Sequence, residues 1–175
     1  MTNDELKQIV EALLMSSPEP LSIDSMLMLF DEWEKPSSKQ LQNIIDTLIQ
    51  EYASHAIELV CLATGYCFQT KQQYSPWVTR LFAEKPVRYS TALFEILSII
   101  AYKQPVTRAD IEEIRGVTVS VPILKTLLDR EWIRVAGYRD VPGKPAVYVT
   151  TKVFLDYFNL ASLNDLPLLN TVNHE

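Results

Sequence analysis

The feature that most limits what this 175-residue chain can fold into is a repeated order of elements: three helices and then two short strands, met once in each half. In the first half, Leu6, Ile9, Val10, Leu13 and Leu14 fall at i, i+3, i+4, i+7 and i+8, one apolar stripe on a helix. The stripe stops before Ser16-Ser17-Pro18, since a residue preceding proline avoids helical backbone. Ser22 is placed to cap a second helix holding Ile23, Met26, Leu27 and Phe30. Ser37 or Ser38 starts a third, with Leu41, Ile44, Ile45, Leu48, Ile49 and Tyr52 at the same spacing. Residues 57–62 and 67–70 then flank Ala63-Thr64-Gly65-Tyr66, and branched and aromatic residues around a glycine turn predict a hairpin.

The second half repeats the order. Residues 91–102 form a helix carrying Leu93, Phe94, Ile96, Leu97, Ile99 and Ile100, apolar on nearly all sides and so expected at the centre of a small domain. Gln104-Pro105 ends it. Thr107 with Asp110 reads as a capping box opening a helix that uses Ala109, Ile111 and Ile114, and Gly116 is a left-handed stop. Ser120 is expected to cap the next helix, which tolerates Pro122 in its first turn and turns Leu124, Leu127 and Leu128 inward. Strands at 133–137 and 146–150 enclose a loop with a Pro142-Gly143 turn.

Three helices covered by a hairpin is the winged-helix arrangement, and one copy takes roughly 70–80 residues. The expected fold class is therefore α+β, mainly α: two tandem winged-helix (helix-turn-helix plus β-wing) domains joined by a linker helix. The boundaries are 1–73 for the first domain, 74–86 for a linker helix with Trp77, Val78, Leu81 and Phe82, 87–160 for the second domain, and 161–175 for a C-terminal tail.

Several classes of activity are disfavoured. The four glycines, at 65, 116, 137 and 143, are scattered and form no phosphate loop. Neither His55 nor His174 has a nucleophile or carboxylate at a recognisable spacing, and Glu112-Glu113 sits on what reads as a solvated helix face. Cys61 and Cys67 with two histidines fall short of a structural zinc set. Met1-Thr2-Asn3-Asp4-Glu5 lacks the basic region of a secretory signal, which places the chain in a reducing cytosol and the cysteines as buried or half-buried thiols. No apolar run approaches the ~20 residues of a membrane span. Neither an enzyme, a cofactor nor a metal is expected.

Two binding readings stay open. A winged helix commonly lays its third helix in the major groove. Here that helix offers Thr118, Ser120, Lys125, Asp129 and Arg130, and the loop adds Arg139 and Lys144 opposed by Asp140. The net charge is −6, and residues 1–86 carry twelve acidic against six basic side chains. A polyanion would find little attraction there, though Arg108, Arg115, Arg139 and Lys144 form a modest basic cluster. The other reading is a protein-binding module. Met26, Met28 and Leu29 exceed one inward stripe, and Leu160, Leu163, Leu166, Pro167, Leu168 and Leu169 form an apolar run that docks on the second domain or on another chain, the first being favoured.

Certain strings are more specific than any pattern. Residues 99–108, IIAYKQPVTR, and 111–117, IEEIRGV, resemble the segregation and condensation protein B family of bacteria, as do Asp140-Val141-Pro142-Gly143-Lys144-Pro145, Thr150-Thr151 and Ser162-Leu163-Asn164-Asp165-Leu166-Pro167. Glu131-Trp132 stands where that family commonly has a glycine helix stop. The resemblance implies two winged helices, a homodimer formed through the N-terminal domains, and a kleisin partner that bridges an SMC ATPase in the cytoplasmic nucleoid. It implies an accessory, non-catalytic role in chromosome condensation and segregation, with DNA contact weak or indirect and no membrane. The alternative is a winged-helix DNA-binding transcription regulator. The candidate partner surface comprises Tyr102, Lys103, Gln104 and Arg115 with the loop residues Arg139, Pro142, Gly143 and Lys144. The rival reading of Tyr102-Lys103-Gln104 is a turn that only fixes the helical corner.

Overall fold

The computed structural model describes residues 2–81 and 88–168. The chain divides into two compact units, 1–85 and 86–175. Phe82, from the expected linker helix, and Leu169 and His174 lie outside the described residues.

In the first unit, α1 (Asn3–Ser16) opens with a capping box in which Thr2 accepts from Glu5 N–H and the Glu5 carboxylate accepts from Thr2 N–H. It buries Leu6, Val10 and Leu14. Helix α2 (Ile23–Leu27) starts from Ser22 and buries Met26. It is shorter than its sequence suggested. Leu29 N–H returns to Met26 C=O, which tightens the last turn, so Phe30 reaches the core from outside the helix. The long α3 (Ser38–Tyr52) has a Ser37–Gln40 capping box and buries Leu41, Ile44, Ile45 and Leu48.

Strands β1 (Ile57–Cys61) and β2 (Tyr66–Thr70) pair antiparallel from Ile57↔Thr70 to Cys61↔Tyr66, and Leu59 enters the core. Leu21 and Tyr66 exchange two backbone hydrogen bonds of 2.9 Å, which pin the chain before α2 to the hairpin. Both thiols are free; Cys61 is exposed, not buried, because it faces outward at the strand end. A short helical turn, Gln72–Tyr74, leads into α4 (Ser75–Leu81), where Trp77 and Leu81 are exposed.

In the second unit, α5 (Thr91–Lys103) starts from Ser90 and buries Leu93, Ile96, Leu97, Ile100 and Ala101. It is not covered all round: Phe94 and Ser98 face outward, because a domain this small packs against only part of the helix. The two-residue β3 (Val106–Thr107) leads directly into α6 (Arg108–Arg115). Helix α6 buries only Ile111. Ala109 and Ile114, expected inward, are exposed, since two turns of helix offer one narrow contact line. Gly116 adopts φ 70°, the left-handed stop. Helix α7 (Val121–Asp129) buries Leu124 and Leu127; Ser120 sits at its cap position, but its side chain makes no capping bond.

Strands β4 (Ile133–Tyr138) and β5 (Ala146–Thr150) pair antiparallel, and β3 adds to the outer side of β5, giving the order β3-β5-β4. Helix α8 (Lys152–Tyr157) starts from Thr151 and buries Phe154. Trp132 is 2% exposed and lies against Tyr89, Tyr157 and Phe158, with ring centroids 5.2, 4.5 and 5.4 Å apart. Leu160 and Leu166 close over this core, while Leu163 and Leu168 stay exposed, so only part of the apolar C-terminal run packs on its own unit.

Candidate partner-binding surfaces

The second unit's polar surface is built around the turn into α6. Thr107 Oγ1 accepts from Asp110 N–H, and the Asp110 carboxylate accepts from Thr107 N–H at 2.8 Å. The same carboxylate receives both terminal nitrogens of Arg139, at 2.9 and 2.6 Å. The Arg139 guanidinium, followed by the Thr107 amide, holds the Asp110 carboxyl down at about 2. The loop after β4 is thereby tied to the start of α6. Sequence adjacency set Asp140 against Arg139; the fold supplies Asp110 in its place.

A second lock joins α6 to α7. Glu112 Oε1 accepts from Val119 N–H at 2.8 Å and from Arg108 Nε at 2.9 Å, while Arg108 Nη2 donates to Val119 C=O at 2.7 Å. Those donors lower the Glu112 pKa, Val119 N–H foremost. Glu112 thus staples α6 to the segment before α7 and is not a bystander on a solvated face. Arg115 Nη2 meets Glu95 Oε2 at 2.8 Å, with its own side chain largely covered. Of the four residues in the expected basic cluster, Arg108, Arg115 and Arg139 each face a carboxylate, which leaves little net positive field for a phosphate backbone.

The eight candidate residues fall in three places. Tyr102, Lys103 and Gln104 end α5. Tyr102 Oη donates to Pro167 C=O at 2.6 Å, and Lys103 is exposed. Gln104 Oε1 accepts from Thr150 N–H at 2.7 Å and from Thr150 Oγ1 at 3.1 Å, fastening the helix end to β5. Arg139, Pro142, Gly143 and Lys144 form the exposed loop at the other end of the hairpin, closed by Arg139 N–H to Pro145 C=O, with Gly143 and Lys144 at φ 86° and 38°. Arg115 lies at the far end of α6 beside Glu95. The rival corner-fixing role describes the contacts of Tyr102 and Gln104; Lys103, Pro142, Gly143 and Lys144 face solvent.

Sequence reasoning missed an open groove of about 390 Å³ where Phe94, Tyr102, Phe154, Phe158 and Leu166 converge. Phe94, Tyr102 and the apolar run with Leu160 and Leu166 were its separate signals, and only the fold brings them together. In the first unit, Met28, Leu29 and Trp33 are 79%, 60% and 80% exposed in the connection between α2 and α3. No helix among the described residues is long and apolar enough to cross a membrane, and none of their His, Cys, Asp or Glu groups of three or more could hold a metal ion.

The family model described as "Segregation and condensation complex subunit ScpB" matches residues 8–169. The chain is 50% identical over 166 residues to the segregation and condensation protein B homolog of Coxiella burnetii, covering 95% of this chain and 79% of that protein. It is 42% identical over 171 residues to segregation and condensation protein B of Syntrophotalea carbinolica, covering 97% and 84%. A crystal structure of the dimer of an ScpB N-terminal domain complexed with ScpA peptide aligns with 45% of this chain and 95% of its own at 27% identity and a TM-score of 0.40. With the family model and both relatives spanning nearly the whole sequence, this chain belongs to the ScpB family of segregation and condensation complex subunits.

Proposed function

We propose that this chain is a non-catalytic accessory subunit of a bacterial SMC–kleisin condensin complex, working in chromosome condensation and segregation. The observation that carries the reading is the family match over residues 8–169. Each unit is a winged helix, residues 74–86 link them, the first unit dimerises, and the central segment of the kleisin crosses the dimer in the cytoplasm. Binding orders and stiffens a kleisin segment that is flexible when free, and the entropy lost in that ordering keeps the contact regulable. ATP hydrolysis belongs to the SMC protein.

The candidate contacts on the second unit are the solvent-facing Lys103 and the loop at Pro142, Gly143 and Lys144. Arg139, Arg115, Tyr102 and Gln104 hold that surface in shape. The pairing of Arg108, Arg115 and Arg139 with carboxylates favours a protein partner over a transcription regulator's DNA site.

The test is absolute mass by light scattering after size exclusion, for the protein alone and mixed with the kleisin of the same organism. A species of about twice the 20.0 kDa chain mass that shifts to a two-to-one complex supports the reading. A species indifferent to the kleisin overturns it.

A further inference from the structure

The first unit carries an apolar surface with an acidic border. An open groove of about 560 Å³ runs along the outer face of α1, where Glu5, Gln8, Ile9 and Ala12 recur at i, i+3, i+4 and i+7, and Glu34 closes its other side. Beside Glu34, Trp33 stands 80% exposed, and the same connection exposes Met28 and Leu29. Three large apolar side chains this open within six residues are more than an isolated domain needs on its surface.

Carboxylates outnumber cations around them. Glu5, Asp31, Glu32 and Glu34 are exposed, and the neighbouring cation Lys35 lies 3.9 Å from Glu32. Lys7, the basic residue of α1, is engaged with Glu51 at 2.7 Å. A second copy seated here through a two-fold axis would press these carboxylates against one another. A cationic partner would not.

We infer that the groove beside α1, with Trp33 as its anchor, docks a basic amphipathic helix from another protein. A helix laid against a helix puts apolar residues onto Ile9 and Ala12 and brings flanking Lys or Arg to Glu5 and Glu34. Trp33 supplies a broad rigid face for the apolar stripe and for a cation stacked on its ring. The inference adds a partner class to the proposed function, and its test uses no kleisin, so the two fail separately.

The test titrates the ¹⁵N-labelled full chain with a 14-residue amphipathic helical peptide of Leu and Lys, and with its Leu and Glu counterpart. Amide shifts confined to residues 5–15 and 28–35 are expected with the Leu/Lys peptide alone. Asp31→Lys with Glu34→Lys should weaken binding at least about tenfold, and Trp33→Ala by a similar factor. All three positions are exposed, and thermal melting confirms that the variants fold. Equal binding by the charge-reversed chain, equal binding of the Leu/Glu peptide, or shifts lying elsewhere overturns the inference. Self-association that Trp33→Ala disperses, seen by light scattering, assigns the face to a second copy and overturns it too.

Discussion

Arg139 and Asp110 are 29 residues apart in sequence and meet as a two-pronged pair, with Nη1 on Oδ1 at 2.9 Å and Nη2 on Oδ2 at 2.6 Å. One carboxylate therefore does two things: it caps α6 through Thr107 N–H and it anchors the loop after β4. Local helix chemistry and the position of the second unit's hairpin loop depend on the same group.

That dependence predicts acid sensitivity. Asp110 is depressed to about 2 in the folded chain against an ordinary carboxylate near 4, so the stabilisation is complete above the unfolded value and is lost as pH falls from about 4 through 2. With the Arg139 side chain 43% exposed, solvent screening leaves about 1 kcal/mol. Asp110→Asn should lower stability at pH 7 by about that amount and flatten the loss between pH 4 and 2. Urea unfolding across that range measures it, and an unchanged acid slope in the variant would contradict the assignment.

Glu131 follows α7 with φ 56°, in the left-handed conformation that favours glycine. Glu131 N–H bonds to Leu128 C=O and Trp132 N–H to Leu127 C=O, the two bonds of a Schellman ending. Glu131→Gly leaves both intact and relieves the side chain's steric cost. A gain of roughly 0.5–1 kcal/mol is expected, seen as a rise of a few degrees in melting temperature. A fall in the midpoint would mean that the glutamate side chain contributes a contact the backbone argument omits.

How much of this was legible in the sequence depended on distance along the chain. The caps at Ser22 and Thr107, the start at Ser37 or Ser38 and the stop at Gly116 follow from neighbours within four residues; the structure has them, with Ser37 as the cap of α3. The strand Val106–Thr107 was missed because two residues are too short to display a period. The face of α5 was misread because a helix rich in apolar residues all round carries little directional signal, and Phe94 is outward. The surface was harder still. Arg139 finds Asp110 and Glu112 finds Val119 only because turns bring distant segments together. No spacing rule reports that Trp33 stands in solvent while Trp132, in the other unit, is buried.

Gly65 is the one glycine whose missing side chain is enforced by packing. A Cβ there would lie 2.3 Å from the Leu21 carbonyl carbon and 2.5 Å from Ser22 N, and the residue's φ is 153°. The clash is with backbone held by the paired Leu21–Tyr66 bonds, so nothing nearby yields easily. Gly65→Ala should destabilise the first unit by more than about 2 kcal/mol, while Gly143→Ala, with open space around it, should cost about 1 kcal/mol from its positive φ alone. Urea midpoints of the two variants, compared side by side, decide between a packing cause and a merely conformational one.

The proposed kleisin surface on the second unit gives the last prediction. Lys144 is exposed on the loop that Arg139 anchors, whereas Arg115 is committed to Glu95, so reversing the two charges does different things. Lys144→Glu changes only what a partner meets. Arg115→Glu also sets two carboxylates against each other beside α5, a cost that Glu95→Lys in the same chain restores by swapping the pair. If the loop touches the kleisin, Lys144→Glu should weaken the complex about threefold to tenfold with melting temperature unchanged. If Arg115 acts only by holding α6 against α5, the swapped pair should recover both stability and kleisin affinity. Affinity that stays low in the swapped, fully stable variant would make Arg115 a direct contact. Affinity unmoved in the combined Arg115→Glu and Lys144→Glu chain, with its fold intact, would remove this face from the kleisin path. Isothermal titration with the kleisin's central segment, alongside thermal melting of each variant, separates these outcomes.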